Sequence, residues 1–209
     1  AELLADPDCQ LVTLVGPGGI GKSRLALQVA ADQMGCFSHG VTFVSLAPVS
    51  SSDLLVSTVA DALNFSFREQ EDPEHQLLDY LREKDLLLIL DSIEHILEGP
   101  DLVSKIIRHA PGVIVMATSR ERLNLQEESV YALDGLGYPK GEVNGDRKPG
   151  QSTESAEPLE TYGAIELFRQ QARRVYDDFS LSDGTASDVV RICQLVEGLP
   201  LGVELAASW

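Results

Sequence analysis

Residues 16–23 constrain the fold of this chain more than any other stretch. They read GPGGIGKS and match the pattern G-x-x-x-x-G-K-[ST] at every fixed position, which is typical of a phosphate-binding loop. Residues 10–15 before the loop are mostly apolar and β-branched and predict a buried strand, while residues 24–32 after it predict a helix. Strand, glycine loop and helix in this order are the context that the motif requires.

The residue types of this loop predict a site for the phosphates of a nucleotide. Glycines allow the backbone to curl with positive φ, so that successive N–H groups point at one anion, and the positive end of the helix dipole adds to the attraction. We expect Lys22 to reach the β- and γ-phosphates and the Ser23 hydroxyl to bind Mg²⁺. The predicted nucleotide-binding residues here are Gly16, Gly18, Gly19, Ile20, Gly21, Lys22, Ser23 and Arg24.

Apolar runs that alternate with helical segments predict the fold class. Strands are expected at residues 41–46, 86–91, 113–117 and 130–133, with helices between them, one of which Ser51 or Ser52 would cap. This alternation predicts an α/β protein: a P-loop NTPase three-layer sandwich with a central parallel sheet, followed by a small helical domain. We expect a nucleotide-binding domain over 1–134, a flexible linker over 135–157, and a truncated helical subdomain over 158–209.

Two acidic residues follow the most apolar run of the chain. Asp91 ends this predicted strand, and the carboxyl ends of parallel strands meet a ligand at one edge of the sheet. We therefore expect Asp91 to hold Mg²⁺ opposite Ser23. Glu94 is the predicted base that orients or deprotonates the attacking water, and His95 is the alternative.

An arginine ends the next buried strand. Arg120 is expected at the same edge of the sheet, where a guanidinium matches the charge and geometry of the γ-phosphate. Arg122 is close enough in sequence to be an alternative for this role. The predicted catalytic residues are therefore Lys22, Asp91, Glu94 and Arg120.

Composition limits the partners and the compartment. The formal net charge of −17 repels phosphate backbones, so we expect no direct contact between this segment and nucleic acid. The three cysteines show no metal-ligand spacing and are typical of a reducing cytosol, which predicts a cytoplasmic protein. We expect no signal peptide and no membrane span, since no apolar run approaches 18 residues.

Four segments in order resemble the signal-transduction ATPases with numerous domains, the STAND class. Within this class the chain is similar to the NB-ARC or AP-ATPase family, found in apoptosome scaffolds, plant disease-resistance proteins and many bacterial regulators. The bacterial transcription-regulator branch is the most similar. The matching segments are GPGGIGKS (16–23), LLLILDSIEH (86–95), VIVMATSRERL (113–123) and EGLPL (197–201).

The resemblance implies an ATP/ADP-driven molecular switch from a larger signalling or transcription-regulatory protein. It implies that Pro200 packs near the adenine, that Mg²⁺ accompanies ATP, and that partners include a winged helix, a repeat sensor or a DNA-binding effector of the same parent protein, with a nucleotide-driven homo-oligomer. Members often carry two acids where this chain has Asp91 and Ser92, so we expect slow hydrolysis. Two alternatives stay open: a conventional P-loop enzyme such as a small-molecule kinase, and a non-hydrolysing interaction module.

Overall fold

A computed structural model describes residues 2–6, 8–49, 51, 54–140 and 158–209. The chain divides into two compact units: one comprises Ala1–Gly18 and Lys22–Leu133, and the other comprises Gly19–Gly21 and Asp134–Trp209. Each unit is described here by itself. In the described part of the chain, no helix is long and apolar enough to cross a membrane.

The first unit alternates strands and helices as the sequence predicts. Its strands are β1 (Leu11–Val15), β2 (Val41–Ser45), β3 (Leu86–Asp91), β4 (Val113–Ser119) and β5 (Glu128–Ala132). Its helices are α1 (Glu2–Ala5), α2 (Lys22–Gln33), α3 (Leu55–Ala62), α4 (Pro73–Arg82) and α5 (Gly99–His109), with a 3₁₀ turn at Ile93–His95.

The five strands form one sheet in the order β2-β3-β4-β1-β5, and every neighbouring pair is parallel. Strand β3 is buried over all six of its residues because it has hydrogen-bonded strands on both sides and apolar cover on both faces. The predicted parallel α/β sheet is thereby confirmed. The strand with the acid and the strand that precedes the arginine are direct neighbours, with Leu90 opposite Ala117.

Two hydrophobic clusters cover the two faces of the sheet. Alternate residues of β3 separate between them: Leu86, Leu88 and Leu90 belong to the cluster that includes residues of α3, α4 and α5. Leu87 and Ile89 belong to the cluster that includes residues of α2. This alternation follows from the pleat of a strand and gives the three layers that the sequence predicts. By the same alternation, Asp91 lies on the α2 face.

Local sequence signals explain where some helices begin. Asp72 precedes α4, its side chain accepts a hydrogen bond from His75 N at 2.9 Å, and Pro73 occupies the first turn. The predicted capping of α3 by Ser51 or Ser52 is not seen for Ser51, because Leu54 occupies the cap position without a side-chain hydrogen bond. Ser52 lies outside the described residues.

The described helices of the second unit are α6 (Gly163–Val175), α7 (Asp183–Leu195) and α8 (Pro200–Ala207), with a 3₁₀ turn at Leu159–Thr161. They share one hydrophobic cluster, in which Leu136 and Tyr138 are partly buried. Leu136 N also donates to Gly198 O at 2.8 Å. Leu136 and Tyr138 of the predicted linker are therefore packed, while residues 141–157 lie outside the described residues.

Candidate functional site

The glycine loop joins β1 to α2 and has the backbone conformation that its sequence predicts. Gly19 and Gly21 have φ values of +79° and +99°, which a residue with a Cβ rarely adopts. Gly16 N donates to Ser119 O at 3.3 Å and so ties the start of the loop to the end of β4. Helix α2 begins at Lys22, so its positive dipole end lies at the loop. The loop is thus suited to an anion.

Lys22 folds back over the loop that precedes it. Its Nζ donates to Gly16 O at 2.7 Å and to Pro17 O at 3.1 Å. Burial lowers the pKa of Lys22 from its ordinary value, and the neighbouring charge of Arg120 lowers it further, while Glu94 and Asp91 act in the opposite direction. The charges of Glu94, Arg120 and Asp91 therefore all act on the Lys22 ammonium.

Asp91 is held by a residue of the neighbouring strand. Its side chain is 7% exposed, and Asp91 Oδ1 accepts a hydrogen bond from Thr118 Oγ1 at 2.7 Å. The same hydroxyl accepts a hydrogen bond from Ser92 N at 2.8 Å. Ser92 has a φ of +67°, an uncommon conformation for a residue other than glycine, and it begins the turn that carries Glu94. Sequence analysis missed Thr118, because a threonine in a β-strand is unremarkable.

Glu94 and Arg120 form an ion pair with unequal exposure. Arg120 Nε lies 3.4 Å from Glu94 Oε1, and the side chains are 64% and 11% exposed respectively. Glu94 Oε2 is buried and has no hydrogen-bond partner. A methyl group placed on Gly18 would lie 3.9 Å from an Arg120 guanidinium nitrogen, so this guanidinium lies beside the loop.

The sequence also offered His95 as an alternative to Glu94 and Arg122 as an alternative to Arg120. His95 and Arg122 are both exposed. Glu94 is mostly buried and pairs with Arg120, whose guanidinium lies beside Gly18. The choice of Glu94 over His95 and of Arg120 over Arg122 stays a prediction.

The residues at this edge fit a magnesium ion. Ser23, in the first turn of α2, is partly buried and offers a hydroxyl, and Asp91 offers a carboxylate. Among the described residues no group of three or more His, Cys, Asp or Glu could hold a metal. Mg²⁺ does not need such a group, since it keeps several waters and takes one or two protein carboxylates together with substrate phosphates. The unpaired Glu94 Oε2 provides a further acceptor for an ordered water.

The remaining predicted binding residues lie in or beside the loop, except one. Ile20 is buried in the loop and Arg24 is exposed on α2. Pro200 is the first residue of α8 in the second unit. In that unit the next residue, Leu201, donates from its backbone N to Gly19 O at 3.2 Å. The adenine contact that the resemblance implies for Pro200 stays a prediction.

Comparison with known proteins gives a family match and several relatives. The model of the NB-ARC domain family matches residues 1–128. An uncharacterized protein of Mycobacterium tuberculosis is 33% identical over 202 residues, which cover 96% of this chain and 46% of that protein. A second protein of that organism, named "Putative HTH-type transcriptional regulator", is 31% identical over 200 residues, which cover 95% of this chain and 20% of that protein. The chain thus spans less than half the length of these relatives.

Solved structures are similar in fold over nearly the whole chain. The structure of Drosophila ORC bound to DNA superposes with a TM-score of 0.56 and 12% identity, covering 99% of this chain and 57% of that one. At this identity the likeness shows the fold alone.

Proposed function

Because the chain belongs to the NB-ARC domain family, we propose that it is a nucleotide-dependent switch module that binds ATP and ADP and hydrolyses ATP slowly. The predicted family is confirmed by the match over residues 1–128. The observation that carries the proposal is the geometry at the glycine loop: Lys22 Nζ donates to Gly16 O at 2.7 Å, and Arg120, 3.4 Å from Glu94, lies beside Gly18. Asp91 ends the strand next to β4, whose last residue, Ser119, accepts a hydrogen bond from Gly16 N. An ammonium, a guanidinium and two carboxylates around one anion-binding loop are the groups that phosphoryl transfer requires.

Each residue has a role that its position supports. The backbone N–H groups of the loop bind the phosphates, and Lys22 leaves the carbonyl oxygens of Gly16 and Pro17 to bind the β- and γ-phosphates. Arg120 leaves Glu94 for the γ-phosphate, since its exposed guanidinium is held by one ion pair only weakly. Ser23 and Asp91 would hold Mg²⁺, which would supply positive charge to neutralise the phosphates. Glu94, thereby freed, orients and deprotonates the attacking water.

We further propose that the module works inside a longer protein. Its relatives are more than twice as long as the matched segment, and one is named as a transcriptional regulator. The proposed partners are a winged helix, a repeat sensor or a DNA-binding effector in the same chain, and a second copy in a nucleotide-driven homo-oligomer. Pro200 would contact the adenine, and the protein would work in the cytoplasm. The formal net charge of −17 repels phosphate backbones, so we propose that this segment itself does not contact nucleic acid.

Calorimetric titration of ATP and ADP tests the phosphate site. We expect Lys22→Ala to weaken ATP binding by at least ~100-fold, since loss of a charge-assisted contact in a partly buried site costs about 3 kcal/mol or more. Lys105→Ala is the matched control, because Lys105 lies on α5 and pairs with Glu74. Equal ATP affinity of wild type and Lys22→Ala would refute the proposed role. Phosphate transfer to an added small-molecule acceptor would favour the kinase alternative.

A further inference from the structure

One hydroxyl group makes two hydrogen bonds at the edge of the sheet where the site lies. Thr118 is fully buried, and its Oγ1 donates to Asp91 Oδ1 at 2.7 Å and accepts from Ser92 N at 2.8 Å. A backbone N–H can only donate, so the single hydroxyl proton is directed at the carboxylate. The hydroxyl thus fixes the Asp91 carboxylate and the Ser92 backbone at the same time.

The sheet explains why this threonine reaches the acid. Strands β3 and β4 are direct neighbours, and Leu90 lies opposite Ala117. The next residue of each strand, Asp91 and Thr118, therefore projects on the same face, which is the α2 face. Helix α2 begins with Lys22 and Ser23. Thr118 thus supports the acid from the neighbouring strand, on the face of the sheet that α2 covers.

We propose that Thr118 is a positioning residue for the metal–nucleotide complex, acting through Asp91 and through the turn that begins at Ser92. The proposal rests on the proposed function, since it needs Asp91 to hold Mg²⁺. A ligand that is held in place by an outer hydrogen bond binds a metal better than one that rotates freely. The bond to Ser92 N also supports a residue with φ of +67°, two residues before Glu94.

The chain offers a closely matched control for this residue. Thr13 is also fully buried in the same sheet, on the neighbouring strand β1, but Thr13 Oγ1 has no hydrogen-bond partner. Because Leu14 lies opposite Thr118, Thr13 projects on the other face of the sheet. A threonine-to-valine substitution makes the same chemical change at both positions, so a difference between them reports the hydrogen bonds of Thr118.

The experiment is calorimetric titration of ATP in excess Mg²⁺ and again in excess EDTA, which needs no turnover. The measured quantity is the ratio of the two dissociation constants. We expect Thr118→Val to reduce the gain from Mg²⁺ by roughly 10-fold or more, the usual effect of losing an outer-shell partner of a metal ligand. Its affinity for metal-free ATP should stay unchanged. Thr118→Ser should restore most of the gain, and Thr13→Val should behave as wild type.

The outcomes separate this inference from the proposed function. If wild-type protein binds ATP more tightly with Mg²⁺ and Thr118→Val shows the same gain, the inference is wrong and the switch module stands. If wild-type protein binds no nucleotide, the proposed function itself fails. If Thr118→Val does not fold by circular dichroism, Thr118→Ala and Thr118→Ser are compared. Both lack the methyl group and differ only in the hydroxyl, so equal gains in that pair would also overturn the inference.

Discussion

Replacing Thr13 by valine should make the protein more stable. The side chain is fully buried in the middle of the sheet, with β4 on one side and β5 on the other. Its hydroxyl has no hydrogen-bond partner, so folding removes it from water without compensation. Valine has nearly the same shape and a β-branched side chain that suits a strand, so the substitution replaces an unpaired polar group by a methyl group.

The size of the effect follows from the cost of that burial. An unpaired buried hydroxyl costs about 1–3 kcal/mol by protein mutational data, and Thr13→Val should recover most of it. A gain of ~1 kcal/mol corresponds to a rise of roughly 2–4 °C in Tm for a chain of this size. The same substitution at Thr118 should have the opposite sign, with a loss of about 1–3 kcal/mol, because it leaves Ser92 N without its acceptor.

Urea unfolding followed by far-ultraviolet circular dichroism measures both variants. The chain forms two compact units, so hydrogen exchange of the β1 and β4 amides adds a reading of the first unit alone. A higher urea midpoint at unchanged slope for Thr13→Val, with a lower midpoint for Thr118→Val, is the expected result. If the two variants shift stability in the same direction, the difference that we assign to their hydrogen bonds is incorrect.

Two further predictions concern hydrolysis and acid stability. Glu94→Gln should lower ATP turnover by about 10²–10⁴-fold while leaving ATP affinity within a few-fold, as expected for loss of a general base. Equal, measurable turnover in both proteins would contradict the role of Glu94, and no turnover in the wild type would favour the non-hydrolysing module. Hydrogen bonds from the side chain and backbone of Ser38 are the main cause of a lowered pKa of Asp85, to which the charge of His39 adds. A lowered carboxyl pKa stabilises the fold above the unfolded pKa of about 3.9, and this contribution is lost as pH falls through the folded pKa. Ser38→Ala should therefore move acid unfolding to higher pH, as followed by circular dichroism, and an unchanged acid midpoint would contradict this.

The sequence predicted the bounds of the fully buried central strand better than those of the edge strand. The predicted strand over residues 86–91 matches β3 at both ends. Five consecutive apolar residues followed by an acid are typical of a strand that is covered on both faces of a parallel sheet. The edge strand was placed less well: residues 130–133 were predicted, whereas β5 spans Glu128–Ala132. Its residues are only half-buried or exposed, so hydrophobicity marks its ends poorly.

The part of the site that sequence reasoning missed depends on strand order. The bond between Thr118 and Asp91 exists because β3 and β4 are neighbours in a fixed register, and sequence alone gives neither. The ion pair between Glu94 and Arg120 was likewise not foreseen, since each was predicted to face the nucleotide. Pairing between candidate residues is decided by side-chain geometry, which motif spacing does not specify.

The central place of β4 has a consequence for what changes this chain can accept. At its carboxyl end, Ser119 O accepts from the loop at Gly16 N, and Thr118 holds Asp91 on the opposite side. Inserting or deleting one residue in β4 would exchange its two faces and break both connections together. A point substitution in β4 can therefore remove one of these two connections and leave the other, whereas a change in the length of β4 removes both. We expect functional variants of this chain to differ in length in loops outside β4.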